Sequence, residues 1–469
     1  MLIRTNDLTM ENVNASLIVK QVFTSIESNQ PELAIRAVGD LPDKKLRQKI
    51  WESRKPHSSN RGDTPLHIAA RNGHISVLRT AHEDGATFTC LNDHRKQPLH
   101  EAAQTGQANC AAFLLDTVKV PVDCLKRADW TAMMLACVGP SHHSDTVEGC
   151  ESSYVDCVRL LLEHGADPTF TNKDGWNCLQ LACRSGCKQI VSMLLSHSPR
   201  LINSRTHNGR TVLHCAVSGS KDSDCARTVN VESATDVLDF CCVIHGLLYH
   251  CPSHLRTPDS CGTLPVFDAL RRGHVRIATH LLDYAQTREQ LLAEDKLGQQ
   301  AIHVAAESGQ LRSVQLVVQY LGLTTLTNPT KPGDKGSSAG VFPLHLACRS
   351  GQTEVVQYIT EMTIASHPST SMTDIFSLPR DGNRRSPIWY AVVGLAGCGS
   401  TGIDRRSECV RIVWNSLTHI PNDSERTALI HTTLTEELRS LSRLKLPDKL
   451  LTLITQLLAL CEKGAYSAV

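Results

Sequence analysis

Four residues, Thr64-Pro65-Leu66-His67, constrain this chain more than any other stretch, because they open a short helix and then recur. Thr64 is a good N-cap, since its hydroxyl can accept from an unpaired amide of the first turn. Pro65 suits the first helical position, where a missing N–H costs nothing. Leu66, Ala69 and Ala70 are apolar at helical spacing, and the alanines let another helix approach closely. Gly73 ends this helix, and a second, over about Ile75 to Glu83, stops near Gly85. A helix pair this short cannot bury its own apolar faces, so it needs copies of itself.

The copies are present. Equivalent openings are Gln97-Pro98-Leu99-His100, Thr131-Ala132-Met133-Met134, Asn177-Cys178-Leu179-Gln180, Thr211-Val212-Leu213-His214, Leu264-Pro265-Val266-Phe267, Gln300-Ala301-Ile302-His303, Phe342-Pro343-Leu344-His345 and Ser386-Pro387-Ile388-Trp389. Starts at 64, 97, 131, 177, 211, 264, 300, 342 and 386 give steps of 33, 34, 46, 34, 53, 36, 42 and 44. Three steps lie within a residue of the roughly 33-residue ankyrin period, and most others equal that period plus an insertion. The sequence resembles the ankyrin-repeat family from about Arg61 to Leu417. The expected fold class is all-α: a solenoid of stacked helix-turn-helix units joined by β-turns or hairpins. Residues 1–60 then form an N-terminal helical cap and linker, 61–417 the repeats, and 418–469 a C-terminal helical cap or tail.

With 48 basic and 47 acidic residues the net charge is +1, so nothing in bulk points to nucleic acid or an anionic membrane. Aromatic residues make up only 4%, natural for stacked small helices of Leu, Ala and Val. Nineteen cysteines would suit a disulfide framework, but Cys137, Cys183 and Cys348 each end a Leu-Ala-Cys triplet where repeat one has Ala70. That is a small buried position which free Cys fills well. Met1 is not followed by a basic region and a sustained apolar run, and no stretch approaches the ~18 uninterrupted apolar residues of a membrane span. The expectation is a reduced, soluble, monomeric protein of the cytoplasm, with the nucleus left open, without membrane attachment, direct nucleic-acid binding or cofactor.

Before the repeats, helical patterns cover about Ala15 to Ser28, with Leu17, Ile18, Val22 and Phe23 on its apolar side, and Pro31 to Val38. Charge-rich Lys44 to Asn60 reads as a linker. Insertions at 139–153, 219–235, 325–340, 364–385 and 394–406 fall between repeat elements and read as mobile loops. The tail carries amphipathic patterns over Leu434 to Leu444 and Lys449 to Glu462, the second with Leu450, Leu451, Ile454, Leu457 and Leu458 as its stripe. A cap over the open solenoid end is the favoured role; an exposed partner-binding helix is the alternative.

No enzyme motif is present: no Gly-rich phosphate loop, nucleophile-elbow serine or His-Glu-x-x-His zinc helix. His142, His143, Cys150 and Cys157 match no structural zinc spacing, so no metal is expected. His67, His100, His214, His303 and His345 recur at one place in the phrase, which argues for a structural hydrogen bond in each turn. The informative stretch is the pair of connections Val122-Asp123-Cys124-Leu125-Lys126-Arg127-Ala128-Asp129-Trp130 and Asn172-Lys173-Asp174-Gly175-Trp176-Asn177. Aligned on the helix openings, Trp130 matches Trp176 and Arg127 matches Lys173. Neighbouring repeats lie about 10 Å apart. Two indoles and at least three cations then share one patch on the turn side, residue types enriched at interface centres. The competing reading has each indole packing over its own turn, with the cations merely solvated.

These runs, with Arg95-Lys96-Gln97-Pro98-Leu99-His100-Glu101-Ala102-Ala103 and Ala293-Glu294-Asp295-Lys296-Leu297-Gly298, resemble the family of ankyrin repeat domain-containing protein 16. The resemblance implies a non-catalytic partner of the alanyl-tRNA synthetase catalytic domain. Such a partner takes misactivated serine onto its own lysines and so protects translational fidelity. The partner-binding candidates are the turn residues Trp130, Trp176, Arg127, Lys96, Asp129 and Asp174. Lys173 matches one family acceptor lysine. A second acceptor is here Arg127, a guanidinium that stays protonated, leaving Lys126 beside it as the substitute candidate. The third acceptor falls where this chain has Leu201-Ile202-Asn203-Ser204-Arg205 and no lysine. The alternative function is a general ankyrin scaffold for other intracellular proteins.

Overall fold

The computed structural model describes residues 4–55, 62–142, 150–220, 243–285, 288–331, 340–366, 381, 383, 385–394, 400–417 and 434–462. Large parts of the insertions, at 143–149, 221–242, 332–339, 367–380 and 395–399, lie outside them, and with those parts the expectation of mobile loops. The described residues are helical, with a single isolated bridge between Lys126 and Trp130 and no strand. No described helix is long and apolar enough to cross a membrane. The chain divides into two compact units that meet in sequence at Cys251 and Pro252.

The first unit holds five repeats. Their first helices are Pro65–Asn72, Pro98–Gln104, Ala132–His142, Cys178–Ser185 and Val212–Gly219. Each packs on the next, and Leu66, Ala69, Ala70, Leu99, Ala102, Ala103, Leu179 and Ala182 are buried where they meet. Second helices Ile75–Glu83, Ala108–Ala112 (continued by a π turn, Phe113–Thr117), Cys150–Glu163, Lys188–His197 and Val243–His250 lie beside them. Cys137 and Cys183 are fully buried here; a hydrogen bond with the Cys178 thiol and then burial push the Cys137 thiol well up, and burial does the same for Cys183 and, in the second unit, for Cys348.

The imidazoles of the recurring phrase tie one repeat to the next. In repeat one the Thr64 amide donates to His67 Nδ1 at 3.2 Å, which leaves Nε2–H to donate to the Lys96 carbonyl of repeat two at 2.8 Å. His100 accepts from the Gln97 amide at 3.1 Å and donates to Cys124 O at 2.9 Å. His303 and His345 do the same with Gln300 and Asn328, and with Phe342 and Arg385. Repeat four uses Gln180, whose Oε1 accepts from the Asn177 amide at 2.9 Å. Burial holds the imidazole pKa of His67 below the usual range and takes those of His100 and His303 down to about 4.

The N-terminal region differs from its sequence reading at two points. Helices Arg4–Glu27 and Pro31–Gly39 pack on the first and second helices of repeat one, like a further repeat. The buried face of the longer one is Val22, Phe23 and Ile26, while Leu17 is 66% exposed. The segment from Lys44 is not simply a linker, because Lys44–Trp51 is a helix capped by Asp43, whose side chain accepts from the Lys45 amide. Only Ile50 and Trp51 of that helix are buried, so its charges face water and hide the periodicity. Trp51 Nε1 donates to Asp84 Oδ2 at 2.9 Å, and Arg47 pairs with Oδ1 at 2.7 Å.

The second unit holds first helices Pro265–Arg272, Ala301–Ser308, Pro343–Ser350 and Pro387–Val393. Their second helices are Val275–Ala285, Leu311–Leu321, Thr353–Ser366 and Ser400–Leu417. In repeat nine Trp389 stands where five other repeats have His. The cap there comes from the tail: Glu437 Oε1 accepts from the Ser386 amide at 3.1 Å and its hydroxyl at 2.8 Å. Glu437 lies in a helix over 434–442, and Asp448–Glu462 packs on the last repeat's second helix. The buried stripe of Asp448–Glu462 is Leu450, Leu453, Ile454, Leu457 and Cys461, turned slightly from the sequence reading; Leu451 and Leu458 are half-buried at its edge.

Candidate functional site

The turns entering repeats two to five share one hydrogen-bonded frame. The first residue's amide donates to the fifth residue's carbonyl: Asn92 to Lys96, Lys126 to Trp130, Asn172 to Trp176 and Thr206 to Arg210, all at 2.9–3.1 Å. An Asn in first place fastens its own turn, as Asn172 Oδ1 does by accepting from the Asp174 and Trp176 amides. Lys126 has no acceptor to offer, and its turn carries Ala128 and Asp129 at φ of 63° and 61°. Successive tips are tied together. The Arg127 amide donates to His94 O at 3.2 Å, Lys173 to Ala128 O at 3.1 Å, and His207 to Asp174 O at 3.2 Å.

Gly175, at φ +77°, makes the last of these ties possible, since a Cβ there would stand 2.6 Å from the His207 amide nitrogen. Gly175→Ala should therefore destabilise the first unit by about 2 kcal/mol, mostly the cost of a left-handed non-glycine residue. Hydrogen exchange at the His207 amide should accelerate in that variant; unchanged protection would show that the tie contributes nothing.

Both indoles are half-buried, neither sunk in the stack nor free in solvent. Lys126 Nζ lies 5.0 Å from the centre of the Trp130 ring, and the Arg184 guanidinium 5.5 Å from that of Trp176. Each contact is worth about 0.5–1 kcal/mol at such sites and fixes the ring's outward face. Arg127, Lys173 and Asp174 are exposed, and Asp129 is half-buried. Burial, then repulsion from Lys96, lowers the Lys126 pKa against the pull of Glu101. The structure thus joins Trp130, Trp176, Arg127, Lys173 and Asp174 along two tied tips. The Arg184 contact is not legible from local pattern, because it reaches back from the far end of the helix that Trp176 precedes.

Lys96 stands in the same turn position as the tryptophans but is not part of that surface. It is 8% exposed, its ammonium 3.1 Å from Glu101 Oε1 and bonded to Gln104. Glu101 is 1% exposed and also accepts from Arg71 Nε at 2.9 Å, while Arg71 reaches Asp63 at 2.7 Å and Asn92 bonds Asp63 from the other side. The two carboxylates are held below their usual pKa against burial by Arg71 and its neighbours. A lysine at this place therefore neutralises a buried carboxylate. Of the four residues weighed for zinc, His143 lies outside the described residues and Cys157 is fully buried.

Comparison with known proteins places the repeats in context. The family profile for ankyrin repeats (3 copies) matches residues 33–124 and 146–238, and a single ankyrin repeat matches 339–363. The chain is 30% identical over 151 residues to "Ankyrin repeat and KH domain-containing protein mask-1" of Caenorhabditis elegans, covering 29% of this chain and 6% of that protein. It is 23% identical over 389 residues to "Transient receptor potential cation channel subfamily A member 1" of Homo sapiens, covering 76% of this chain and 31% of the channel. The chain thus spans well under two thirds of the length of these relatives. Among solved structures, the ankyrin repeat domain of Bcl-3 aligns over 55% of this chain and 99% of its own, at 22% identity and a TM-score of 0.38. With the phrase, the paired helices and the tied turns already described, the two profile matches identify ankyrin repeats in this chain over residues 33–124, 146–238 and 339–363.

Proposed function

We propose that the turns of repeats two to five dock a partner protein, and that the partner is the catalytic domain of alanyl-tRNA synthetase. The observation that carries the docking surface is the pair of cation-covered indoles on two hydrogen-bonded neighbouring tips. Rings already held in place lose little freedom on binding. The choice of partner rests on the resemblance of the turn sequences to ankyrin repeat domain-containing protein 16. Ankyrin repeats are generally protein-interaction scaffolds without enzymatic activity, so a scaffold for another protein is the second reading.

Serine capture belongs to the same proposal. A deprotonated lysine amine attacks the acyl carbonyl of seryl adenylate. An N–C amide bond forms, the C–O bond to the phosphate breaks, AMP leaves and the amine's proton passes to water. Lys173 offers reach, and Lys126 offers an amine with a lowered pKa. Neither turns over, so capture is stoichiometric.

Trp176→Ala should weaken synthetase binding by about tenfold or more, the cost of removing a central aromatic anchor, with far-UV helix content nearly unchanged. A fall in thermal stability with unchanged affinity would assign the indole to packing alone. Incubation with synthetase, serine and ATP should add a seryl mass to Lys173 or Lys126. Unmodified lysines while the adenylate accumulates would remove capture and leave docking standing.

A further inference from the structure

Beside this row of turns lies a cavity of about 510 Å³, walled by the second helix of repeat four, the 3-10 turn Pro199–Asn203 that follows it, and the approach to the next turn. Arg200, Arg205 and His197 line it, with Thr171 and Asn177, and no carboxylate is among its lining residues. Arg200 and Arg205 are exposed, and neither has an ion-pair or hydrogen-bond partner among the described residues. The floor is fastened: Asn177 Nδ2 donates to Ser204 Oγ at 2.7 Å, and Ser204 Oγ to Leu201 O at 2.6 Å. Two unpaired arginines lining one space without a counter-charge suit a group with several anionic oxygens.

The cavity also has a position in the repeat. One residue before the turn, repeats two to five carry Leu91, Leu125, Thr171 and Arg205 in the same register. Leu91 and Leu125 are exposed at 37% and 41%, and Phe170 adjoins Thr171 at 39%. Along the row the surface therefore changes from apolar to hydroxyl to cationic, at steps of about 10 Å. We infer that this cavity binds the phosphate monoester of a phosphorylated side chain on a docked polypeptide whose neighbouring apolar residues lie along Phe170, Leu125 and Leu91. The inference rests on the reading of these turns as a docking surface and adds what that surface selects. The space, about 510 Å³, greatly exceeds a lone phosphate, which leaves room for the side chain that carries it.

The test uses the full chain and two degenerate peptide libraries, one centred on phosphoserine and one on serine, with inorganic phosphate and phenyl phosphate as competitors. The phosphoserine library should be retained about tenfold better, with apolar residues enriched on one side only. Arg200→Gln with Arg205→Gln should erase that preference without lowering the melting temperature, since neither side chain is paired. Equal retention of both libraries overturns the inference, as does competition by inorganic phosphate at the same concentration as phosphopeptide, which would mark a free-anion site. Retention unchanged by Trp176→Ala counts against the docking reading itself. A lost phosphoserine preference with Trp176 dependence intact counts against this inference alone.

Discussion

Moving the protein from pH 7 to pH 4 should remove about 3 kcal/mol of stability through His100 in the first unit and about as much through His303 in the second. Their folded pKa values, about 4, lie below the roughly 6.5 of an unfolded imidazole. Between those values the unfolded chain holds a proton that the folded chain refuses. The stabilising difference is therefore fully present above pH 6.5 and lost as pH falls toward 4. His67 acts in the same direction. The geometry supplies the cause: Nδ1 is needed as an acceptor for an N-cap amide, and a protonated ring has no acceptor to give. Repeat four supplies the control, since Gln180 makes the same cap without titrating. In urea melts across this range, His100→Gln and His303→Gln should flatten the acid limb while roughly preserving stability at pH 7. An acid limb unchanged in the double variant would place the loss in other groups.

The second large effect is expected at Glu101. Replacing it with Gln should cost about 3–5 kcal/mol, because Lys96 is 8% exposed and would keep only Gln104 as a partner. Arg71 would still hold Asp63, so the loss should centre on the lysine. The double change Glu101→Met with Lys96→Met removes both charges and leaves the Arg71–Asp63 pair. It should recover most of the stability lost in Glu101→Gln, since a buried ion pair exchanged for apolar side chains is often close to neutral. Calorimetry of the single and double variants measures the coupling directly. Additive losses would mean that the lysine already reaches water.

The fold is legible in the sequence wherever one residue carries one local duty. Thr64, Pro65 and His67 encode the N-cap, the first-turn proline and the N3 acceptor within four residues, and a buried face follows at helical spacing. The helix Lys44–Trp51 is not legible, because Ile50 and Trp51 alone are buried and five charged or polar residues share its length. Nor is the duty of Lys96, which shares its register with Trp130 and Trp176. Its side chain turns inward because Glu101 lies buried five residues later in the chain, and a register position does not announce that. The cations over the indoles, Lys126 and Arg184, depend on backbone angles and on the far end of a helix. Glu437 as the cap of Ser386 is a pairing 51 residues apart that no local pattern holds.

Each imidazole bridge also dictates an order of completion during synthesis. His67 finds its second partner only when Lys96 has emerged, His100 only when Cys124 has, and His345 only when Arg385 has. A nascent chain halted between those points keeps a buried N–H without an acceptor at its growing edge. The array should therefore consolidate one step behind the ribosome, and repeat nine should settle last, after Glu437 has left the exit tunnel.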